Sequence, residues 1–137
     1  MKLAAASCVA LLLALPVYGA SHVMSTEDAI NNHIQNFGSG NLDALVADYS
    51  EDAVFITPMG VASGHDELRG LIGGFLAEFG KPGMSFTIDK VTASGDVGQV
   101  VWHGETADNV YNFATETYVV VDGKIVGQTF AASMTAK

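Results

Sequence analysis

The sequence predicts an α+β fold, with three N-terminal helices packed on a strongly curved, mainly antiparallel sheet. Before residue 80 the apolar residues recur with a helical period, as in Leu42, Leu45, Val46 and Tyr49 and again in Leu68, Leu71, Ile72 and Phe75. From Met84 onward the period drops to two: Met84, Phe86 and Ile88 alternate with Ser85, Thr87 and Asp89. Asp122-Gly123, between Val119-Val120-Val121 and Lys124-Ile125-Val126, marks a two-residue hairpin. The helices are not interleaved with the long strands as crossovers, which excludes a doubly wound parallel sheet.

The chain has 137 residues, and the first nineteen read as an export signal. Lys2 supplies one positive charge, Leu3 to Pro16 is an apolar run, and Val17-Tyr18-Gly19 offers small residues at a cleavage site. The run falls short of the roughly 20 residues that a spanning helix needs, so a membrane anchor is the weaker reading. Cleavage after Gly19 would leave residues 20–137 as one domain, exported to a periplasmic or extracellular compartment.

Ser25 caps the first helix, with Glu27 and Asp28 in its first turn and Ile30, Ile34 and Phe37 along one face. His33 belongs to that apolar side, three residues after Ile30 and four before Phe37. The second helix delivers Tyr49 on its buried side. Ala53-Val54-Phe55-Ile56 then forms a strand stopped by Thr57-Pro58-Met59-Gly60, with a short return strand at Val61-Ala62. Ser63 caps a third helix that carries Gly70, Gly73 and Gly74; each glycine costs about 1 kcal/mol against alanine, so the three together predict a closely packed neighbouring backbone. Strands follow over Met84 to about Ile88, about Val97 to Thr106, Tyr111 to Val121 and Lys124 to about Ala132, with turns at Ala93-Ser94-Gly95-Asp96 and Ala107-Asp108-Asn109.

Charge and composition narrow the chemistry. Six basic residues stand against fifteen acidic ones, a formal net charge of −9 that becomes −10 when the signal takes Lys2 with it. Such a chain repels nucleic acid and anionic lipid, so neither is expected as a partner after signal cleavage. The single cysteine, Cys8, lies in the signal, which excludes a thiol nucleophile, a disulfide framework and a cysteine-based zinc site from the mature part. No phosphate-cradling glycine loop, Gly-x-Ser-x-Gly elbow or His-Glu-x-x-His occurs, and the reading calls for no cofactor. His103 and Glu105 share one face of a strand but are too few for a closed metal site, so no metal is expected.

The order of elements, together with Gly40-Asn41-Leu42-Asp43, Tyr49-Ser50-Glu51-Asp52-Ala53, Pro58-Met59-Gly60, Gly64-His65-Asp66-Glu67-Leu68 and Val121-Asp122-Gly123-Lys124-Ile125-Val126, resembles the nuclear transport factor 2-like superfamily, in particular its SnoaL-like and ketosteroid isomerase-like branches. The resemblance implies a cone-shaped domain, often dimeric, with an apolar pocket between helices and sheet. In the steroid isomerases an aspartate just before Pro-x-Gly is the proton-transferring base; that position is Thr57 here, and a threonine hydroxyl cannot abstract a carbon-bound proton unaided. The resemblance places the oxyanion-binding tyrosine at His33 and its supporting tyrosine at Tyr49. The second oxyanion donor, a protonated aspartate on a late strand, falls near Glu116, between Thr115 and Thr117.

From the residues themselves, His33, Tyr49 and Thr57 either satisfy one another inside the protein or point into a cavity and orient a guest, in which case His33 is the acid or base. The expected pocket comprises His33, Tyr49, Phe55, Thr57, Trp102 and Glu116. Three functions follow: an exported binder of a small apolar molecule; an isomerase, dehydratase or cyclase with His33, Tyr49 and Glu116 as catalytic residues; or a non-catalytic homodimer that binds another protein.

Overall fold

The computed structural model describes residues 23–137, so the expected export signal and its cleavage site lie outside the described residues. Two helices open the described chain, α1 (Thr26–Gly38) and α2 (Leu42–Ala47). A hairpin of β1 (Tyr49–Thr57) and β2 (Gly60–Ser63) leads into α3 (Gly64–Phe79), and four long strands follow: β3 (Ser85–Ser94), β4 (Val97–Glu105), β5 (Asn109–Val121) and β6 (Lys124–Ala136). The architecture is α+β with a six-stranded sheet in the order β2-β1-β6-β5-β4-β3. Every neighbouring pair is antiparallel except β1 with β6, which run parallel.

The local signals explain the boundaries. The Ser25 hydroxyl accepts from the Asp28 N–H at 3.1 Å and so caps α1, and the Asn41 side chain does the same for α2 through Ala44. Asp122 and Gly123 both adopt positive φ, 51° and 75°, which is the turn that joins β5 to β6 without splaying them. Register shifts interrupt the β3–β4, β4–β5 and β5–β6 ladders, and these bulges curl the sheet around the helices.

Three expectations are corrected. The third helix follows the first hairpin, so the helices do not all precede the sheet. Tyr49 is not on α2: Asp48 closes the helix and Tyr49 opens β1, already pairing with Ile125 of β6. Nor do Gly70, Gly73 and Gly74 admit a neighbouring backbone, since an added Cβ would meet nothing within 4 Å at Gly70 or Gly74 and only the Leu42 side chain, at 3.9 Å, from Gly73. The close approaches are on β4: a Cβ at Gly98 would sit 2.2 Å from the Ile30 side chain, and one at Gly104 would sit 2.4 Å from the Ser85 carbonyl oxygen. Glycine at 98 therefore lets α1 lie against the sheet, which lowers His33 into the interior.

The core fills the concave side, where Ile30, Leu45, Leu68, Ile72, Val100 and Ile125 are buried with the aromatic residues. Strand alternation, reset in β5 by the bulge between Tyr111 and Phe113, then sorts β4 and β5: Trp102, Tyr111, Ala114 and Tyr118 face inward, while His103 and Phe113 face out. Among the described residues no helix is long and apolar enough to cross a membrane.

Candidate functional site

Between α1, α3 and the concave face lies a cavity of about 60 Å³, lined by His33, Tyr49, Glu116, Tyr118 and Gln128 on its polar side and mostly by aromatic and branched side chains elsewhere. Phe55, Phe75, Phe79, Phe86, Trp102 and Phe130 supply most of the apolar wall, and they pack edge to face or stacked, as between Phe75 and Phe130 at 5.5 Å.

The polar side is built from α1 upward. Helical spacing sets Asn32 and Asn36 beside His33, and all three converge on Asp48, the residue that closes α2. Asn32 Nδ2 donates to Asp48 Oδ1 at 2.8 Å, Asn36 Nδ2 lies 3.2 and 3.0 Å from the two carboxylate oxygens, and His33 Nδ1 lies 2.9 Å from Oδ2. A carboxylate so arranged only accepts, which puts a proton on Nδ1; in the neutral ring Nε2 then carries the lone pair. Nε2 faces the Tyr49 hydroxyl at 3.4 Å. Tyr49 gives its one proton to Gln128 Oε1.

Gln128 extends the chain of contacts to Glu116. Its Nε2 donates to Glu116 Oε2 at 2.5 Å, Tyr118 OH donates to the same oxygen at 2.6 Å, and Trp102 Nε1 donates to Oε1 at 2.9 Å. Burial pushes both Tyr49 and Tyr118 well above the usual phenol range, and the neighbouring Glu116 charge adds to the rise, with Asp48 contributing further. Both hydroxyls therefore stay protonated across the physiological range. The imidazole packs edge-on against the two phenol rings, 5.3 Å from Tyr49 and 5.8 Å from Tyr118.

The structure thus brings His33, Tyr49, Phe55, Trp102 and Glu116 around one cavity. Thr57 is placed elsewhere. Its hydroxyl donates to the Gly60 carbonyl at 3.2 Å and accepts from the Met59 N–H at 3.2 Å, so it serves the β1–β2 turn instead of the pocket. Glu116 is corrected in role: three donors converge on it, so it is an acceptor and not the hydrogen-bond donor that the resemblance implied. Register selects it over its neighbours, because Glu116 lines the cavity while Thr115 and Thr117 alternate to the other face. His103 pairs with Asp89 at 2.8 Å on the exposed face of β3 and β4.

Sequence reasoning missed Asp48, Tyr118 and Gln128. Tyr118 was findable, since it follows Glu116 by two on the same strand face. So was Asp48, through the Asn32, His33 and Asn36 cluster that needs an acceptor. Gln128 reaches Tyr49 only through the parallel β1–β6 pairing, across 79 residues of sequence, which no local pattern encodes.

Comparison with solved structures finds the same fold repeatedly at low identity. An NTF2-like protein of unknown function from Cytophaga hutchinsonii matches with a TM-score of 0.68 and 15% identity, over 83% of this chain and 95% of that one. A putative ketosteroid isomerase from Kribbella flavida matches with a TM-score of 0.66 and 16% identity, over 79% and 77%. The epoxide hydrolase/cyclase-like enzyme SalBIII, which has a role in pyran ring formation in the polyether salinomycin, matches with a TM-score of 0.66 and 13% identity, over 82% and 95%. No curated protein matches the sequence. The family model of the SnoaL-like domain matches residues 30–128, from the buried Ile30 of α1 to the Gln128 that joins Tyr49 to Glu116. This chain belongs to the SnoaL-like domain family and has the nuclear transport factor 2-like fold.

Proposed function

We propose that this chain is an exported protein that takes up a small, largely apolar molecule, with the guest's one polar group at the His33 end. The observation that carries the reading is the cavity itself, whose polar residues gather on one side while the remaining wall is hydrocarbon. Size supports it further. A cavity of about 150 Å³ holds a benzene ring, and the chamber of about 60 Å³ is less than half that size, which suits the head of a guest. Ile34, Phe37, Phe79, Phe86 and Ile88 are shared with an outer cleft of about 550 Å³, and that cleft receives the rest.

A second reading, an acid–base enzyme of the isomerase, dehydratase or cyclase kind, is favoured by one specific arrangement: Asp48 holds His33 at Nδ1 and leaves Nε2 as a base beside the cavity. The enzymes among the structural neighbours make that chemistry a natural use of the fold, though fold alone assigns none. Homodimerisation is part of the proposal as well, since Ile56, Val97 and Phe113 are each about half exposed on the outer side of the sheet.

Native mass spectrometry of the protein purified from its export compartment tests the binding reading. A reproducible small-molecule adduct is expected, and His33→Ala should weaken it at least tenfold; a wild-type protein that carries nothing and takes up no apolar probe would refute the proposal.

A further inference from the structure

Resting on that reading, a count of hydrogen-bond donors and acceptors around the chamber specifies the guest's polar group. Every side-chain donor type in the lining is already committed. His33 Nδ1–H goes to Asp48, Tyr49 O–H to Gln128, and Trp102 N–H, Tyr118 O–H and a Gln128 N–H all go to Glu116. The second amide hydrogen of Gln128 is the one donor hydrogen in the lining that these contacts leave over. The acceptor side is richer. In the neutral Nδ1–H ring His33 Nε2 carries a lone pair that no neighbour fills, because the proton of the adjacent Tyr49 hydroxyl goes to Gln128. Tyr49 and Tyr118 oxygens hold further lone pairs, and Glu116 adds a negative charge with no lysine or arginine in the lining to offset it.

From this imbalance we propose that the chamber selects a guest that donates a hydrogen bond, a neutral hydroxyl compound such as an alcohol or phenol, and discriminates against ketones, ethers and carboxylates. A hydroxyl directed at His33 Nε2 gives that lone pair a partner. A carbonyl presents a second acceptor to an acceptor and leaves both unpaired. A carboxylate meets in addition the uncompensated charge of Glu116 and the desolvation of its own. The consequence for a catalytic variant of the site is that His33 would receive a proton from a hydroxyl at the outset, and would not stabilise an oxyanion.

The test compares three six-membered-ring probes, cyclohexanol, cyclohexanone and the ether tetrahydropyran, none bulkier than the alcohol, each titrated into the full mature protein. Trp102 is the chain's one tryptophan and lines the cavity, so its indole N–H resonance reports occupancy by NMR. Cyclohexanol is expected to bind about tenfold more tightly than the other two, the equivalent of ~1.4 kcal/mol. Binding of all three with the ketone equal or preferred would overturn this inference and leave the binding reading intact. Failure of all three to bind would overturn both. A second measurement needs no ligand: the ¹⁵N shifts of His33 in the free protein should report a protonated Nδ1 and a bare Nε2, and either the opposite tautomer or a doubly protonated ring with Nε2–H donating to the Tyr49 oxygen would refute the proposal. In His33→Phe the preference for the alcohol should collapse to about unity; a preference that survives there places the acceptor elsewhere and also defeats the inference.

Discussion

Glu116 and Glu78 each collect three hydrogen-bond donors, yet only Glu116 borders empty space. Glu116 spreads its partners over both oxygens, Trp102 on one and Tyr118 and Gln128 on the other, and lines the chamber. Glu78, in the last turn of α3, takes all three on a single oxygen: Thr106 at 2.9 Å, Asn109 at 2.7 Å and Tyr111 at 2.9 Å. Those partners belong to the end of β4, its turn and the start of β5, so Glu78 staples helix to sheet. The same chemistry thus has two uses. Where the donors surround packed atoms it fixes a junction, and where they surround a void it fixes the polarity of a site.

That contrast can be broken first by removing each carboxylate. Glu116→Leu strands three donors in the interior and should cost more than about 3 kcal/mol in chemical unfolding, while Glu78→Leu, whose Thr106 partner also has the Asn109 carbonyl, should cost about 1–3 kcal/mol. Glu116→Gln should alter probe binding, whereas Glu78→Gln should leave it unchanged; an equal effect of the two on binding would erase the distinction.

High pH sharpens it through one tyrosine at each hub. Burial raises Tyr118 well above its usual range with Glu116 adding to it, and burial followed by the hydrogen bond to Glu78 raises Tyr111. Because the folded protein holds these protons more tightly than the unfolded chain, the contribution they make to stability is complete below pH ~10 and is lost as pH climbs from there through the folded values. Stability should therefore fall steadily above pH ~10. Tyrosinate absorbance should appear together with unfolding, and a tyrosinate signal that precedes unfolding would show that neither hub shields its phenol.

The smallest effect concerns the third carboxylate, Asp48. Asn32→Leu and Asn36→Leu each remove amide donors that orient it, and each should cost only about 1 kcal/mol of stability. Their signature is instead in the His33 ¹⁵N spectrum, where the Nδ1–H form should become mixed with Nε2–H. Asn36→Gln, which keeps the amide, should restore the single form; an unmixed spectrum in the leucine variants would show that Asp48 needs no help from α1.

The sequence carried the order of elements because each is announced locally: Ser25 and Asn41 as caps, Asp122-Gly123 as a turn, and the change of period at Met84. It carried His33 because the residue shares the apolar face of α1, and Tyr49 because it closes an apolar series, though on a strand and not on the helix; Glu116 came from the resemblance alone, and strand alternation explains why it faces the cavity. Thr57 misled because a polar side chain at the strand end beside Pro-x-Gly points to a place in the pocket lining, while the hydroxyl is spent on closing the turn. The triple-glycine helix misled for a different reason: glycine permits close approach without requiring it, and the positions that do require it, Gly98 and Gly104, lie in a strand where nothing adjacent marks them.

The sheet order gives β6 a further role during synthesis. The β1–β2 hairpin joins the remaining strands only through β6, the last of the described elements in chain order. A nascent polypeptide emerging at about 5–20 residues per second has α1, α2 and that hairpin free well before their docking strand exists. Until Lys124–Ala136 has left the ribosome, the sheet is in two pieces and Gln128 cannot connect Tyr49 with Glu116. Closure of the sheet is thereby deferred until β6 has been made, and a premature stop ahead of residue 124 would release a chain with no closed sheet and no site.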